Sequence, residues 1–179
     1  MEVKKTELPG ALLITPCVFG DERGFFLESW NQRAFDEAVG YPVTFVQDNR
    51  SRSTRGVLRG LHYQIDPVAQ GKLVTVLFGT IFDVVVDLRR NFPTFGKSLG
   101  VELKAEDHTM VWIPPGFAHG FLVTSDSADV AYKATNYYSP QHERCIRWND
   151  PDLAIPWPFV RNGPFLSEKD SSAASLSEI

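Results

Sequence analysis

Five stretches of the chain carry side chains that could move a proton or grip an anion. In Gly56-Val57-Leu58-Arg59-Gly60-Leu61-His62-Tyr63-Gln64, an arginine and a histidine stand three residues apart. On a flat strand they would point to opposite faces, because side chains alternate. Gly60 between them is the usual mark of a bulge or sharp bend, which would turn both inward. Taken alone, the stretch is more simply a surface arginine and an ordinary core histidine. Lys72 heads the apolar run Lys72–Phe78. Facing a cavity it would be costly without an anion to meet, and there it could steady a developing oxyanion; at a strand end in solvent it needs no such role. In Val130–Tyr138, Tyr132 and Tyr138 share parity and so share a face. A phenol across a cavity from a histidine makes an acid and base pair for proton transfer at carbon, although tyrosines are also common in strands. Pro114-Pro115-Gly116-Phe117-Ala118-His119 makes a tight turn that delivers His119 to the start of a strand, as a ligand-facing group or as a turn residue satisfied by backbone. Finally, Arg23 in Asp21–Glu28 has the fork of donors that suits a phosphate, and Glu28, Gln47 and Asn49 could bond a polar ring.

These groups need a scaffold of strands. Short β-branched and aromatic runs recur along the chain: Phe25–Trp30, Val43–Gln47, Lys72–Phe78, Ile81–Leu88, Val101–Lys104, Thr109–Ile113, Phe121–Thr124 and Val130–Tyr138. Gly79-Thr80 punctuates two of them. Strands this short at this spacing predict an all-β sandwich, barrel or jelly roll. Helix is scarce. Asn31 can cap a helix over Gln32–Val39, with Gly40 as its stop and Pro42 just beyond. Asn149–Asp152 can open one short turn. Residues 1–170 are expected to form a single domain, and 171–179, rich in Ser and Ala, a mobile tail.

Composition narrows the function. At 179 residues the chain supports one domain with a sizeable core. Eighteen Lys plus Arg against 22 Asp plus Glu give a net charge of −4. A broad nucleic-acid surface is therefore not expected, while a single phosphate pocket needs only a few cations. No run of 18 apolar residues spans a bilayer, and Met1–Lys5 leads into no apolar stretch of the kind a secretory signal carries. Cys17 and Cys145 match no metal spacing and read as free thiols, which places the expected chain in a reducing cytoplasm.

The Pro-x-Gly-x-x-His pattern at 114–119 resembles the second motif of the cupins, small barrels of jelly-roll type. Many cupins hold a metal through His-x-His, a carboxylate and a later His. Here the matching place reads His62-Tyr63-Gln64, so a metal-free barrel without cofactor is expected.

Taken together, the ordered stretches Asp21–Phe26, Gln47–Asn49, Gly56–Gln64, Gly71–Val74, Pro114–Phe121 and Leu166–Asp170 resemble the dTDP-4-dehydrorhamnose 3,5-epimerase family from about Leu8 to Asp170. The resemblance implies a metal-free cupin jelly-roll barrel with a few short peripheral helices, assembled as a homodimer, with dTDP-4-dehydro-6-deoxy-D-glucose as substrate and dTDP-4-dehydro-L-rhamnose as product. It implies His62 as base, Asp170 as its partner, Tyr132 as acid and Lys72 at the C4 oxygen. Arg59 and His119 would line the pocket. Arg23, Glu28, Gln47, Asn49, Glu143 and Lys169 would contact the sugar nucleotide, Tyr138 would stack on thymine, and Arg23 and Glu28 would reach the mate's site. Cys17 and Trp30 depart from the family pattern, as does the lack of a Pro after Asp170. Members that invert only C3 or only C5, and ketoisomerases, share this pattern. A non-catalytic sugar-binding cupin would not need Tyr132 beside His62 and Asp170.

Overall fold

Short β-branched and aromatic runs separated by turns fold into thirteen strands, and the computed structural model describes all of residues 1–179. In chain order these are β1 (Glu2–Lys5), β2 (Leu12–Thr15), β3 (Val18–Asp21), β4 (Gly24–Leu27), the helix α1 (Gln32–Val39), β5 (Gln47–Thr54), β6 (Leu58–Gln64), β7 (Lys72–Phe78), β8 (Thr80–Asp87), β9 (Ser98–Lys104), β10 (Met110–Ile113), β11 (Phe117–Val123), β12 (Ser127–Ala134), β13 (Glu143–Cys145) and the short helix α2 (Glu168–Ser171). Two main sheets result, one ordered β1-β2-β10-β7-β12-β5 and the other β13-β6-β11-β8-β9, with β3 and β4 forming a separate hairpin. The chain is thus mostly β with two short helices. No helix is long and apolar enough to cross a membrane.

The two sheets bury their facing sides together. Val74 and Val76 from β7, Val130 from β12, Ile81 and Val85 from β8, and Phe117, Phe121 and Val123 from β11 form this inner core. The intervening positions of the same strands point outward. On one side Leu73 joins Leu12, Ile14, Met110 and Trp112 beneath Phe35 of α1. On the other, Val84, Val86, Leu61 and Ala118 lie under Ile146 and Leu153. Strands covered on both faces explain why β8 reads as an almost unbroken apolar run.

Helix α1 begins and ends where its caps dictate. The Asn31 side chain accepts the Ala34 amide, and Gly40, at φ +89°, returns its own amide to the Asp36 carbonyl. The strand expected at Val43–Gln47 begins only at its last residue. Pro42 to Val46 is irregular, and β5 runs instead through the polar Gln47–Thr54, where eight residues pair with β12. Its sequence has no apolar alternation, so only the partner strand reveals it.

Residues 171–179, set apart by composition as a mobile tail, lie against the outer face of the second sheet. The Arg147 amide donates to the Ala174 carbonyl at 2.8 Å, and the Leu176 amide donates to Asp150 Oδ2 at 2.7 Å. Leu176 and Ile179 pack on the Leu61–Val84–Val86 cluster. Two apolar side chains among the serines are enough to seat the segment there.

Candidate active site

The site is built around an irregularity in β6. Gly60 adopts φ +125°, and a Cβ there would lie 2.5 Å from the Gly120 Cα and 2.8 Å from the His119 carbonyl oxygen. Across the β6–β11 ladder His62 pairs with His119 and Arg59 with Phe121, so Gly60 and Leu61 together oppose Gly120. The extra residue resets the alternation. Arg59 and His62, which a flat strand would separate, thus share a face, His62 beside His119 and Arg59, exposed at the edge, beside the core residue Phe121, while Leu61 turns outward and is fully buried.

His62 Nε2 lies 2.5 Å from Asp170 Oδ1. Asp170 sits on α2, 3% exposed, and Ser167, the helix cap, donates to its Oδ2 at 2.8 Å. The Cys145 thiol approaches Oδ1 at 3.6 Å. Burial pushes the Asp170 carboxyl up, but the bonds from His62, Ser167 and Cys145 outweigh it and leave the group below the usual carboxylate range. Burial, with Asp170 beside it, pushes the Cys145 thiol up to about 12, which keeps it protonated. His62, Cys145 and Asp170 bring three ligand-type atoms within 4.8 Å of one another. Two of the three are hydrogen-bonded, closer than the roughly 3.3 Å that separates neighbouring ligands of a tetrahedral zinc ion. The arrangement is a histidine–carboxylate pair rather than a metal cage.

The facing sheet supplies the other groups. Lys72, first residue of β7, points inward with Val74 and Val76; its Nζ stands 3.3 Å from the His62 carbonyl oxygen and 5.9 Å from the centre of the Tyr132 ring. Burial lowers the ammonium to about 8, with Lys169 adding to the effect and Glu143 and Asp83 opposing it. Tyr132 on β12 is partly buried. Burial first, then Glu143, pushes its phenol up, with Arg59 opposing, so it stays protonated near neutrality.

A polar network borders these groups. Glu143 accepts from the Tyr138 hydroxyl at 2.8 Å and pairs with Lys169 at 2.5 Å. The Tyr138 amide donates to Gln47 Oε1 at 2.9 Å, and Gln47 Nε2 donates to Asn49 Oδ1 at 2.9 Å. Arg59 crosses the gap between sheets to donate from Nε to Ser53 Oγ at 3.0 Å. His119 Nε2 meets Asp83 Oδ2 at 2.7 Å.

His62, Asp170, Lys72, Tyr132, Arg59, His119, Gln47, Asn49, Glu143, Lys169 and Tyr138 are therefore gathered in one region between the sheets. Arg23 and Glu28 are not. Arg23 is on the β3–β4 hairpin, bonded to Asp21, and Glu28 accepts from Asn31. Sequence reasoning passed over Ser53, Asp83, Cys145 and Ser167. Of these only Asp83 left a signal, as an acid interrupting the β-branched run of β8.

The chain that carries this arrangement has known relatives. The family model for dTDP-4-dehydrorhamnose 3,5-epimerase matches residues 5–178. The chain belongs to this family. A dTDP-4-dehydrorhamnose 3,5-epimerase of Pseudomonas aeruginosa is 57% identical over 178 residues, covering 99% of this chain and 97% of its own. The enzyme of that name from Shigella flexneri is 59% identical over 170 residues, covering 95% and 93%. Among solved structures, the dTDP-6-deoxy-D-glucose-3,5-epimerase of Legionella pneumophila, in complex with dTDP-4-keto-L-rhamnose, superposes with a TM-score of 0.95 at 50% identity, covering 99% of this chain and 94% of that one.

Proposed function

We propose that this epimerase converts dTDP-4-dehydro-6-deoxy-D-glucose to dTDP-4-dehydro-L-rhamnose, inverting C3 and C5 in the synthesis of dTDP-L-rhamnose. The observation that carries the mechanism is that base and acid come from opposite sheets: His62 from β6, Tyr132 from β12. A ketone at C4 acidifies the hydrogens at C3 and C5. His62, polarised by Asp170, takes one of these protons, and the C–H electron pair moves into the C–C bond as the carbonyl becomes an enolate. Lys72 meets the charge on the C4 oxygen. The Tyr132 O–H bond then breaks and its proton forms the new C–H bond on the opposite face. His62 gives up its proton to water and the phenolate regains one, so substrate and product have the same composition. No electron leaves the sugar, and these side chains supply every proton the reaction moves. The nucleotide lies toward Gln47, Asn49, Glu143 and Lys169, with Tyr138, 53% exposed, stacking on thymine.

The facing sheets are read as a cupin jelly roll. Two copies form a dimer through the β3–β4 hairpin, whose Phe19, Phe25 and Phe26 are 64%, 65% and 68% exposed. That assembly carries Arg23 and Glu28 to the partner's cavity. The deciding experiment runs the sugar nucleotide in heavy water and locates the deuterons. Incorporation at both C3 and C5 is expected. Incorporation at one centre makes the chain a single-centre epimerase, a C4-to-C3 shift of the ketone makes it a ketoisomerase, and no exchange makes it a binding protein.

A further inference from the structure

Asp83 is a carboxylate between the sheets to which the chemistry above gives no task. It stands on β8 opposite Phe121, between Ile81 and Val85 of the inner core, with no solvent exposure. One oxygen meets His119; the other, Oδ1, has no partner at all. A carboxylate so placed is costly unless cations stand close. Two donors are within its influence. His119 is hydrogen-bonded to it through Nε2. Lys72, across the cavity, feels its charge, which opposes the effect of burial on the ammonium. The only side-chain hydrogen bond of His119 within the chain is this one through Nε2, which leaves Nδ1 free for another partner.

We propose that Asp83 is a positioning residue for the carbonyl end of the substrate: it fixes the His119 ring through Nε2, leaving Nδ1 to the sugar, and is the buried counter-charge that keeps Lys72 an ammonium. The inference rests on the reading that Lys72 serves the C4 oxygen. The groups facing Lys72 are Glu143 from β13, Lys169 from α2, Asp83 from β8, Tyr132 from β12 and His62 from β6. Of the three carboxylates near this end, Glu143 is paired with Lys169, and Asp170 and Asp83 each with a histidine; Asp83 is the one that leaves a buried oxygen without a partner.

The test is Asp83→Asn, which keeps shape and hydrogen-bonding capacity but removes the charge. With Lys72 no longer supported, its ammonium loses the proton more readily, and the alkaline limb of kcat moves about one pH unit lower. At pH 9 kcat falls roughly tenfold, and at pH 7 only about twofold, with KM changed little. A kcat at pH 9 within twofold of the parent, or an alkaline limb that stays in place, overturns the proposal. Should Asp83→Asn not fold, His119→Asn at the cavity wall replaces it. That variant keeps the Asp83 charge beside Lys72 but removes the ring that Asp83 holds, so KM rises while the alkaline limb stays in place; an unchanged KM, or a limb that moves down, overturns the proposal. Lys72→Met separates the two layers of inference. If it keeps the parent rate, the Lys72 reading fails and the Asp83 assignment falls with it. If Lys72→Met is slow while Asp83→Asn behaves like the parent, only the Asp83 assignment fails.

Discussion

Removing one hydroxyl separates proton removal from inversion. Tyr132→Phe leaves His62 with its carboxylate partner, so hydrogen at C3 or C5 still exchanges with heavy water. Without the phenol, the proton returns to the face it left, or only one centre inverts. Proton NMR of the recovered sugar distinguishes these outcomes, and normal double inversion would transfer the acid role to water. Tyr138→Phe keeps its ring face and is expected to change nucleotide affinity only modestly. Lys72 carries a second prediction, for stability. Its ammonium is lowered by burial from 10.5 to about 8. Below pH 8 the folded chain holds a desolvated charge that the unfolded chain keeps in water. Between about 8 and 10.5 the unfolded chain binds more protons, so stability rises with pH across that window. Lys72→Met removes the penalty and is expected to stabilise the fold at pH 7 by about 1–3 kcal/mol, while slowing deuterium exchange about a hundredfold. Urea melts at pH 7 and pH 10 check the sign: the gain must shrink at the higher pH.

At the scale of single elements, β6 is the most demanding. Gly60→Ala would place a methyl 2.5 Å from the Gly120 backbone at a φ of +125°. The expected cost is about 3 kcal/mol in a urea titration, with loss of activity because Arg59 and His62 no longer share a face. Asn31→Ala, at the cap of α1, should cost only about 1 kcal/mol, the loss of one local cap. The contrast reflects what a sequence displays. The start and stop of α1 were legible because caps are local, one side chain answering one backbone group. The glycine of β6 announced an irregularity, but whether it would join Arg59 to His62 depended on a register with β11 set by distant residues. Strand β5 left no trace in its polar sequence, and its place is fixed by β12. Asp83 was visible as an anomaly in an apolar run, but its partner His119 lies 36 positions away, beyond the reach of any local pattern.

For the whole molecule, the question is what completes the cavity. Eleven groups that the family pattern singles out converge within one chain, but Arg23 and Glu28 stay with the hairpin. Spacing along a sequence cannot tell a residue that serves its own site from one that serves a neighbour's. Sedimentation at micromolar concentration is expected to give about twice 20.1 kDa. Phe25→Ser with Phe26→Ser should return it to that mass and weaken substrate binding at the same time. A monomeric double variant with unchanged KM would separate Arg23 and Glu28 from catalysis.

With His62 on one sheet and Tyr132 on the other, the proposed mechanism makes the hydrophobic filling between them a gauge. Packed sheets keep a spacing of roughly 10 Å set by the side chains that interdigitate. Val76, Val85 and Val123, which help to fill this space, are buried core residues without polar groups, and by ordinary reasoning they matter only to stability. Here they also set how far a planar enolate must lie from the tyrosine when the histidine has finished with it. Thinning the core, as in Val85→Ala, would let the walls settle and change how often the proton comes back to the face it left. Errors in handedness would then appear in a protein whose reacting groups are all intact, and hydrostatic pressure, which squeezes voids, would shift the error rate further. The fraction of deuterium incorporated with retention, measured against pressure, reads that gauge directly.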